Sequence, residues 1–405
     1  MRALVFTPTP VRYLAGRALT RLGGVTGWTT APVLALRALP RPRLPAAAWI
    51  RVAVRLGGIC GSDLHLLRLA MSPATSALAS TPFVPGHENV GTVEEVGPTV
   101  DGLRPGQRVV VDPLLPCAVR GLPPCASCAS GAYNRCLRFT DGLLAPGMMI
   151  GACRETGGSW GEAFVAHAAQ AHPVPEGVSD REALLAEPLA CAIHAVGRTP
   201  PPADGWVLVV GGGTVGLCVV AALRALAPGA RVLALVKHPF QAAMARRLGA
   251  DEVVAADRKG RYYGAVAEVT GARVLRPLFG RPVLRGGATL TLECAGSARS
   301  LDDALRLTRP GGRVTLVGLA ALPRGVDWTP IWLNELRVDG AFTYAVEAEP
   351  LGRRPTLAVA LEWLAARRVD LAPLVTHVFP LRRYGEALAT AAGKRDGAIK
   401  VALAP

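Results

Sequence analysis

Lysine is almost missing from this chain. Of its 45 basic residues only Lys237, Lys259, Lys394 and Lys400 are lysines; the rest are arginines. The arginines form no run of five or more, and no aromatics are interleaved with them. Clustered cations are what hold a phosphate backbone, so the formal charge of +15 reads as an arginine-biased solvated surface rather than a nucleic-acid footprint. It leaves a modest attraction for anionic small molecules. Long apolar runs are also scarce. The opening "MRALVFTPTP" has one arginine and too short an apolar stretch for a signal peptide. The one tempting stretch, Gly205 to Leu223, is uncharged but contains five glycines. A buried strand, a glycine turn and a buried helix explain it better than a bilayer span. The chain is therefore expected to be soluble and cytoplasmic, with neither nucleic acid nor membrane as partner.

Cysteine is used sparingly, nine in 405 residues, and in a reducing cytosol clustered cysteines point to metal or redox chemistry rather than disulfides. Four of the nine fall in "CAVRGLPPCASCASGAYNRC": Cys117, Cys125, Cys128 and Cys136. Cys125 and Cys128 can clamp a metal from one tight turn, and the other two approach from the flanks. Four thiolates around Zn2+ make a closed tetrahedral site that contributes folding energy but offers no open position. A redox CxxC pair usually opens a helix; this one sits in a proline- and glycine-rich loop.

At 405 residues two domains are expected. The first half reads as short strands broken by Gly and Pro, among them "WIRVAVRLGGIC", "NVGTVEEVG", "QRVVVDP" and "GEAFVAHAAQAHPVP", a β-barrel-like pattern. After about Pro188 strands alternate with helices, as in a doubly wound parallel sheet. From about Ala345 the chain returns to helix and strand. The predicted division is a catalytic domain over 1–190, a dinucleotide-binding domain over 191–344 and a returning segment over 345–405. "GARVLRPLFGRPVLRGG" (271–287) reads as an insertion in the sheet domain without an assigned role.

A second constellation is dispersed. "GGICGSDLHLL" supplies Cys60, Ser62, Asp63 and His65; "PFVPGHENVG" supplies His87 and Glu88; "LLAEPLACAIHAV" supplies Glu187. One thiolate, one imidazole and a carboxylate or two suit a zinc ion with an exchangeable position. Each fragment alone is weak, because a buried Cys or His is usually core.

In this order, with "PGHENVGTVEEVGPTVDGLRPGQRV", "GAYNRC", "EPLACAIHAV", "GGGTVG" and a closing "GAIKVAL", the chain resembles the zinc-containing medium-chain alcohol and polyol dehydrogenases. The resemblance covers nearly the whole sequence. It implies an α/β architecture, a GroES-like β-barrel catalytic domain joined to a Rossmann domain. It further implies that Cys60 and His87 hold a catalytic zinc, that Glu88 and Glu187 complete or adjust its coordination, and that Ser62 and His65 form a proton relay reaching the cofactor ribose. Asp63 would orient His87. The Glu-Pro-Leu at Glu187 is similar to the polyol, sugar and threonine dehydrogenase branches, where the other main branch carries cysteine near there; Cys191 is the alternative ligand. The family's proteins lead to an expected homodimer or homotetramer. Two departures stand out: seven residues separate Cys117 from Cys125 where the family has two, and Gln107 replaces an aspartate.

"WVLVVGGGTVGLCVV" carries Gly211, Gly213, Thr214, Val215 and Gly216 between a strand and a helix, the context a dinucleotide turn requires. About 20 residues on, where NAD sites place an acid, stand Val236 and Lys237. A cation there tolerates a 2′-phosphate, so NADP is favoured over NAD. The expected activity is reversible hydride transfer between an alcohol (polyol, sugar or amino-alcohol) and NAD(P), with two zinc ions per chain. A zinc-free quinone or alkene reductase of the same superfamily is opposed by Cys60, His87 and the cysteine loop. A zinc-ribbon nucleic-acid binder leaves the glycine turn unexplained. Cys153, Cys218 and Cys294 read as core thiols, and His167, His172, His194 and His377 as structural.

Overall fold

The computed structural model describes residues 1–16, 18, 33–347 and 351–405. It divides into two units, one of Met1–Glu187, Ala345–Ala366 and Leu371–Pro405, the other of Pro188–Tyr344 with Arg367–Asp370.

In the first unit β1 (Arg2–Phe6) and β2 (Leu34–Ala38) form an antiparallel pair. The principal sheet uses β3 (Trp49–Ile59), β4 (Asn89–Val96), β5 (Arg108–Val111), β6 (Ala163–His167) and β7 (Ala171–Pro173). The chain's last strands, β16 (Val375–Pro380) and β17 (Lys400–Ala404), join it. The order is β16-β17-β3-β4-β5-β7, with β6 also paired to β3. Along β3, Trp49, Ile50, Val52 and Val54 enter a core with Val93, Val109, Val111 and Phe164. Each such burial contributes about 1.5–3 kcal/mol. The far end of β3 serves a different cluster, where Ile59 meets Leu67, Trp160, Val401 and Leu403. β17 lies on β3 with Val401 opposite Ile59, so the end of the chain is stitched beside Cys60.

The second unit is a six-stranded parallel sheet of β8 (Trp206–Val210), β9 (Arg231–Val236), β10 (Glu252–Ala255), β13 (Ala288–Glu293), β14 (Thr308–Leu316) and β15 (Arg337–Gly340). Their order is β10-β9-β8-β13-β14-β15, the doubly wound arrangement whose direction reverses between β8 and β13. β13 is buried at all six positions, as expected of a strand covered on both faces. The 271–287 insertion folds as an antiparallel hairpin of β11 (Arg273–Leu275) and β12 (Val283–Arg285). Among the described residues no helix is long and apolar enough to cross a membrane.

Candidate metal and cofactor sites

Cys60 follows β3 and is the N-cap of the helix Gly61–Leu67. His87 and Glu88 lie immediately before β4, and the β3–β4 pairing sets Gly57 opposite Asn89. Register therefore delivers both segments to one place: the Cys60 sulfur, a His87 nitrogen and a Glu88 oxygen all lie within 4.8 Å of one another. Two glycines permit the approach. A Cβ at Gly58 would strike the Glu88 carboxylate, and Gly86 (φ +96°) packs against Ser159 and Trp160. The Ser159 hydroxyl donates to the Glu88 carbonyl at 2.7 Å, and Trp160 Nε1 donates to that of Gly58 at 2.9 Å.

Asp63, buried at 5% exposure, accepts from the Cys60 N–H at 2.8 Å and stands 3.7 Å from His87 Nδ1. Burial opposes charge on His87, yet Asp63 and Cys60 outweigh it and hold its pKa well above the ordinary range. Positive charge is thus stabilised at this point, and a thiolate, an imidazole and carboxylates are donors that suit a divalent zinc.

Glu88 is not a free ligand. Lys400, 2% exposed, donates from Nζ to Glu88 Oε1 at 2.6 Å and to the Ile59 carbonyl at 3.1 Å, and it also touches the second carboxylate oxygen. Burial works against the ammonium, but Glu88 and Cys60 more than offset it. Glu187 is buried at the start of the helix Ala186–Arg198. It lies outside the mutually close trio yet near enough to act electrostatically on His87 and Lys400. Lys400 was missed from sequence, although a signal existed: in a chain that defaults to arginine, a retained lysine implies that a compact point charge is needed.

Ser62 and His65 stand three apart on the helix after Cys60, hence on one face. Ser62 Oγ is buried without a hydrogen-bond partner among the described residues. Burial, with Arg68 adding to it, lowers the His65 pKa, so its ring is neutral at pH 7 and able to accept a proton.

The four cysteine sulfurs of the loop also lie within 4.8 Å of one another, Cys117 included, its Sγ 3.6 Å from that of Cys136. The long gap closes on itself, because Arg120 and Leu122 both donate their N–H to the Cys117 carbonyl at 3.0 Å. Backbone N–H groups of Leu137 and Arg138 point at Cys125 and Cys136 sulfurs. The N–H groups of Leu137 and Cys128 bring the Cys125 thiol down to about 6.

Asp112, just past β5, ties this loop to the sheet by accepting from the Tyr133 hydroxyl at 2.8 Å and the Leu114 N–H at 3.0 Å. Burial pushes its carboxyl from the ordinary 3.8 up to about 6. The folded state therefore binds this proton more tightly than the unfolded one, and its contribution to stability falls as pH rises from about 4 to about 6. Asp112→Asn removes that slope. The stability gap between wild type and variant is expected to change by about 2–3 kcal/mol between pH 4 and 7. Denaturant melts at the two pH values check it, and a pH-independent gap refutes it.

In the second unit the turn after β8 starts with Gly211 (φ +113°) and leads through Gly213 into the helix Thr214–Leu226. A Cβ at Gly216 would collide with the Gly211 carbonyl, while one at Gly213 would meet nothing. The third glycine thus lets helix and strand pack, and the second leaves backbone open to a pyrophosphate. Lys237 follows β9 and is exposed; its N–H and that of His238 donate to Gln241 Oε1, a restraint not foreseen from sequence.

Residues 46–176 match the alcohol dehydrogenase GroES-like domain and residues 214–365 the zinc-binding dehydrogenase domain. A sorbitol dehydrogenase from Arabidopsis thaliana is 32% identical over 330 residues, covering 82% of this chain and 81% of its own. An L-idonate 5-dehydrogenase from Vitis vinifera is 31% identical, with 87% of each chain covered. Among solved structures, a zinc-binding dehydrogenase from Sinorhizobium meliloti 1021 bound to NADP superposes with a TM-score of 0.70 at 26% identity, over 93% of this chain and 98% of that one. The chain therefore belongs to the zinc-containing medium-chain alcohol and polyol dehydrogenases, and is a zinc-dependent oxidoreductase that transfers hydride between an alcohol and NAD(P).

Proposed function

We propose that this enzyme interconverts polyol-type secondary alcohols and their ketones, with NADP preferred over NAD. The observation that carries the reading is the convergence of Cys60, His87 and Glu88 beside a buried Ser62 hydroxyl that has no hydrogen-bond partner among the described residues. Cys60, His87 and Glu187 hold the catalytic zinc in this reading. Lys400 keeps Glu88 back as a carboxylate that adjusts the site's charge. Cys117, Cys125, Cys128 and Cys136 hold a second, structural zinc. When bound, the catalytic ion lowers the pKa of the substrate hydroxyl and stabilises negative charge on its oxygen. Ser62 orients that hydroxyl and, as it accepts its proton, passes its own on toward neutral His65. Asp63 fixes the imidazole of His87. The polyol assignment rests on the sorbitol and idonate dehydrogenases among the relatives and on Glu187 in its Glu-Pro-Leu setting.

The cofactor preference rests on Lys237 and on the lack of an acid at the end of β9. Lys237→Asp is expected to lower kcat/KM with NADP about tenfold or more, since a charge-assisted phosphate contact is replaced by repulsion. Initial rates with both cofactors check it, and a wild-type preference for NAD overturns it. A polyol panel run alongside metal analysis tests the whole reading, which fails if active protein contains no zinc. A homodimer or homotetramer is supported by the open edge of β15, where Val338 and nearby Trp332 and Phe342 are exposed. A cytoplasmic location is supported by nine cysteines that form no disulfide among the described residues.

A further inference from the structure

The hairpin of β11 and β12 has no part in the sites above. It follows the helix Tyr262–Thr270 and leads directly into β13, so it stands where β13 begins. β8 and β13 run parallel, with Val207 beside Leu290, and the glycine turn follows the other end of β8. The hairpin thus occupies the end of the sheet opposite the cofactor turn. It is firmly anchored: Leu284 is fully buried with Val274 packed into the same core. Arg281 on the returning arm binds Asp302 and Asp303 at 2.9 and 3.0 Å.

Its outer face is built differently. Arg273 and Arg285 are direct cross-strand partners, a like-charge pairing that destabilises a sheet unless something anionic covers it. Among the described residues Arg285 bonds only a neutral group, Asn334 Oδ1 at 3.3 Å. Arg273 and Arg276 have no carboxylate partner among the described residues. Beyond them the tip holds Leu278 at 90% and Phe279 at 85% exposure, with Leu275 at 38% on the outer face. A pinned loop thus presents two large apolar side chains within a collar of unpaired cations.

We propose that this hairpin docks the enzyme reversibly on an anionic lipid bilayer. Leu278 and Phe279 enter the headgroup boundary, and Arg273, Arg276 and Arg285 lie against lipid phosphates. A leucine and a phenylalanine offer roughly 350 Å², well short of the roughly 800 Å² per partner of a stable protein interface. That area does suit weak partitioning into a bilayer surface, to which clustered basic residues add attraction. The formal charge of +15 draws the molecule toward such a surface from a distance.

Co-sedimentation of the full-length enzyme with vesicles of phosphatidylcholine, with and without phosphatidylglycerol, tests the proposal. Binding is expected only to the mixed vesicles and is expected to weaken with salt. The double variants Leu278→Ser with Phe279→Ser, and Arg273→Gln with Arg276→Gln, should each lower partitioning about tenfold or more while hydride transfer is unchanged. Absence of binding by wild type overturns the proposal. So does undiminished binding by the tip variant, which would reduce the effect to adsorption by overall charge. A tip variant that lowers the light-scattering mass instead would assign the hairpin to contact between copies of the chain and equally overturn it.

Discussion

Cys60→Ala is expected to lower kcat/KM for alcohol oxidation by about a thousandfold or more, while the midpoint of thermal unfolding moves by no more than about 2 °C. The split follows from how the residue is used. The Cys60 backbone N–H caps the helix through Asp63 at 2.8 Å, and alanine retains that bond, losing only the weaker sulfur half of the capping box. Its side chain is only partly buried and sits among groups that already favour a cation, His87 and Glu88. Removing the sulfur takes away one donor and one negative charge from the proposed zinc, and the remaining imidazole and carboxylates hold the ion far less well. With both proposed sites filled in the wild type, zinc content should fall from about two to about one per chain. Rates, metal analysis and circular dichroism on the same preparation read all three. Activity within tenfold of wild type would place the reacting centre elsewhere.

What the sequence disclosed, and what it did not, divides by the range of the interaction. Cys60, Ser62 and His65 fall within six consecutive residues, and the glycine turn is also a run of six, so local spacing was enough to place them. The four loop cysteines needed only loop closure, whose entropic cost rises slowly with length, and the unusual gap before Cys125 did not prevent it. The state of Glu88 is another matter. Its partner Lys400 lies 312 positions away and reaches it only because β17 pairs with β3. No periodicity in either segment encodes that pairing. The hairpin at 273–285 was visible as extra residues, but the apposition of Arg273 and Arg285 depends on register, which turns and packing decide. Glu187 shows the reverse case: its motif was legible, while its distance from the Cys60–His87 pair depends on how the helix Ala186–Arg198 is set.

Arg120→Met is expected to lower the unfolding midpoint by about 10 °C and to loosen the loop's hold on metal. Arg120 is 1% exposed and uses its whole guanidinium. Nε donates to the Leu115 carbonyl at 3.0 Å, Nη1 to those of Asp141 and Leu144 at 2.8 and 2.9 Å, and Nη2 to those of Ala145 and Gly147 at 3.1 and 2.6 Å. One acceptor precedes the first cysteine and four follow the last, so a single side chain gathers both ends of the cysteine loop. Methionine fills much of the volume but donates nothing, leaving buried carbonyls bare at a cost of about 1–3 kcal/mol each before relaxation. Removal of a buried, fully bonded charge typically costs about 3–5 kcal/mol in total, and each kcal/mol moves the midpoint of a domain this size by about 2–4 °C. Charge adds to the loss. Burial lowers the Arg120 pKa, and the Cys153 and Cys136 sulfurs resist that shift; four thiolates on the proposed divalent ion would carry surplus negative charge that the guanidinium would offset. Arg120→Lys separates the two effects, since it restores the charge but not the five-donor fork. Scanning calorimetry with a chelator titration makes the comparison. If Arg120→Met melted within about 2 °C of wild type and kept its zinc under chelation, the bonds would be incidental to the loop.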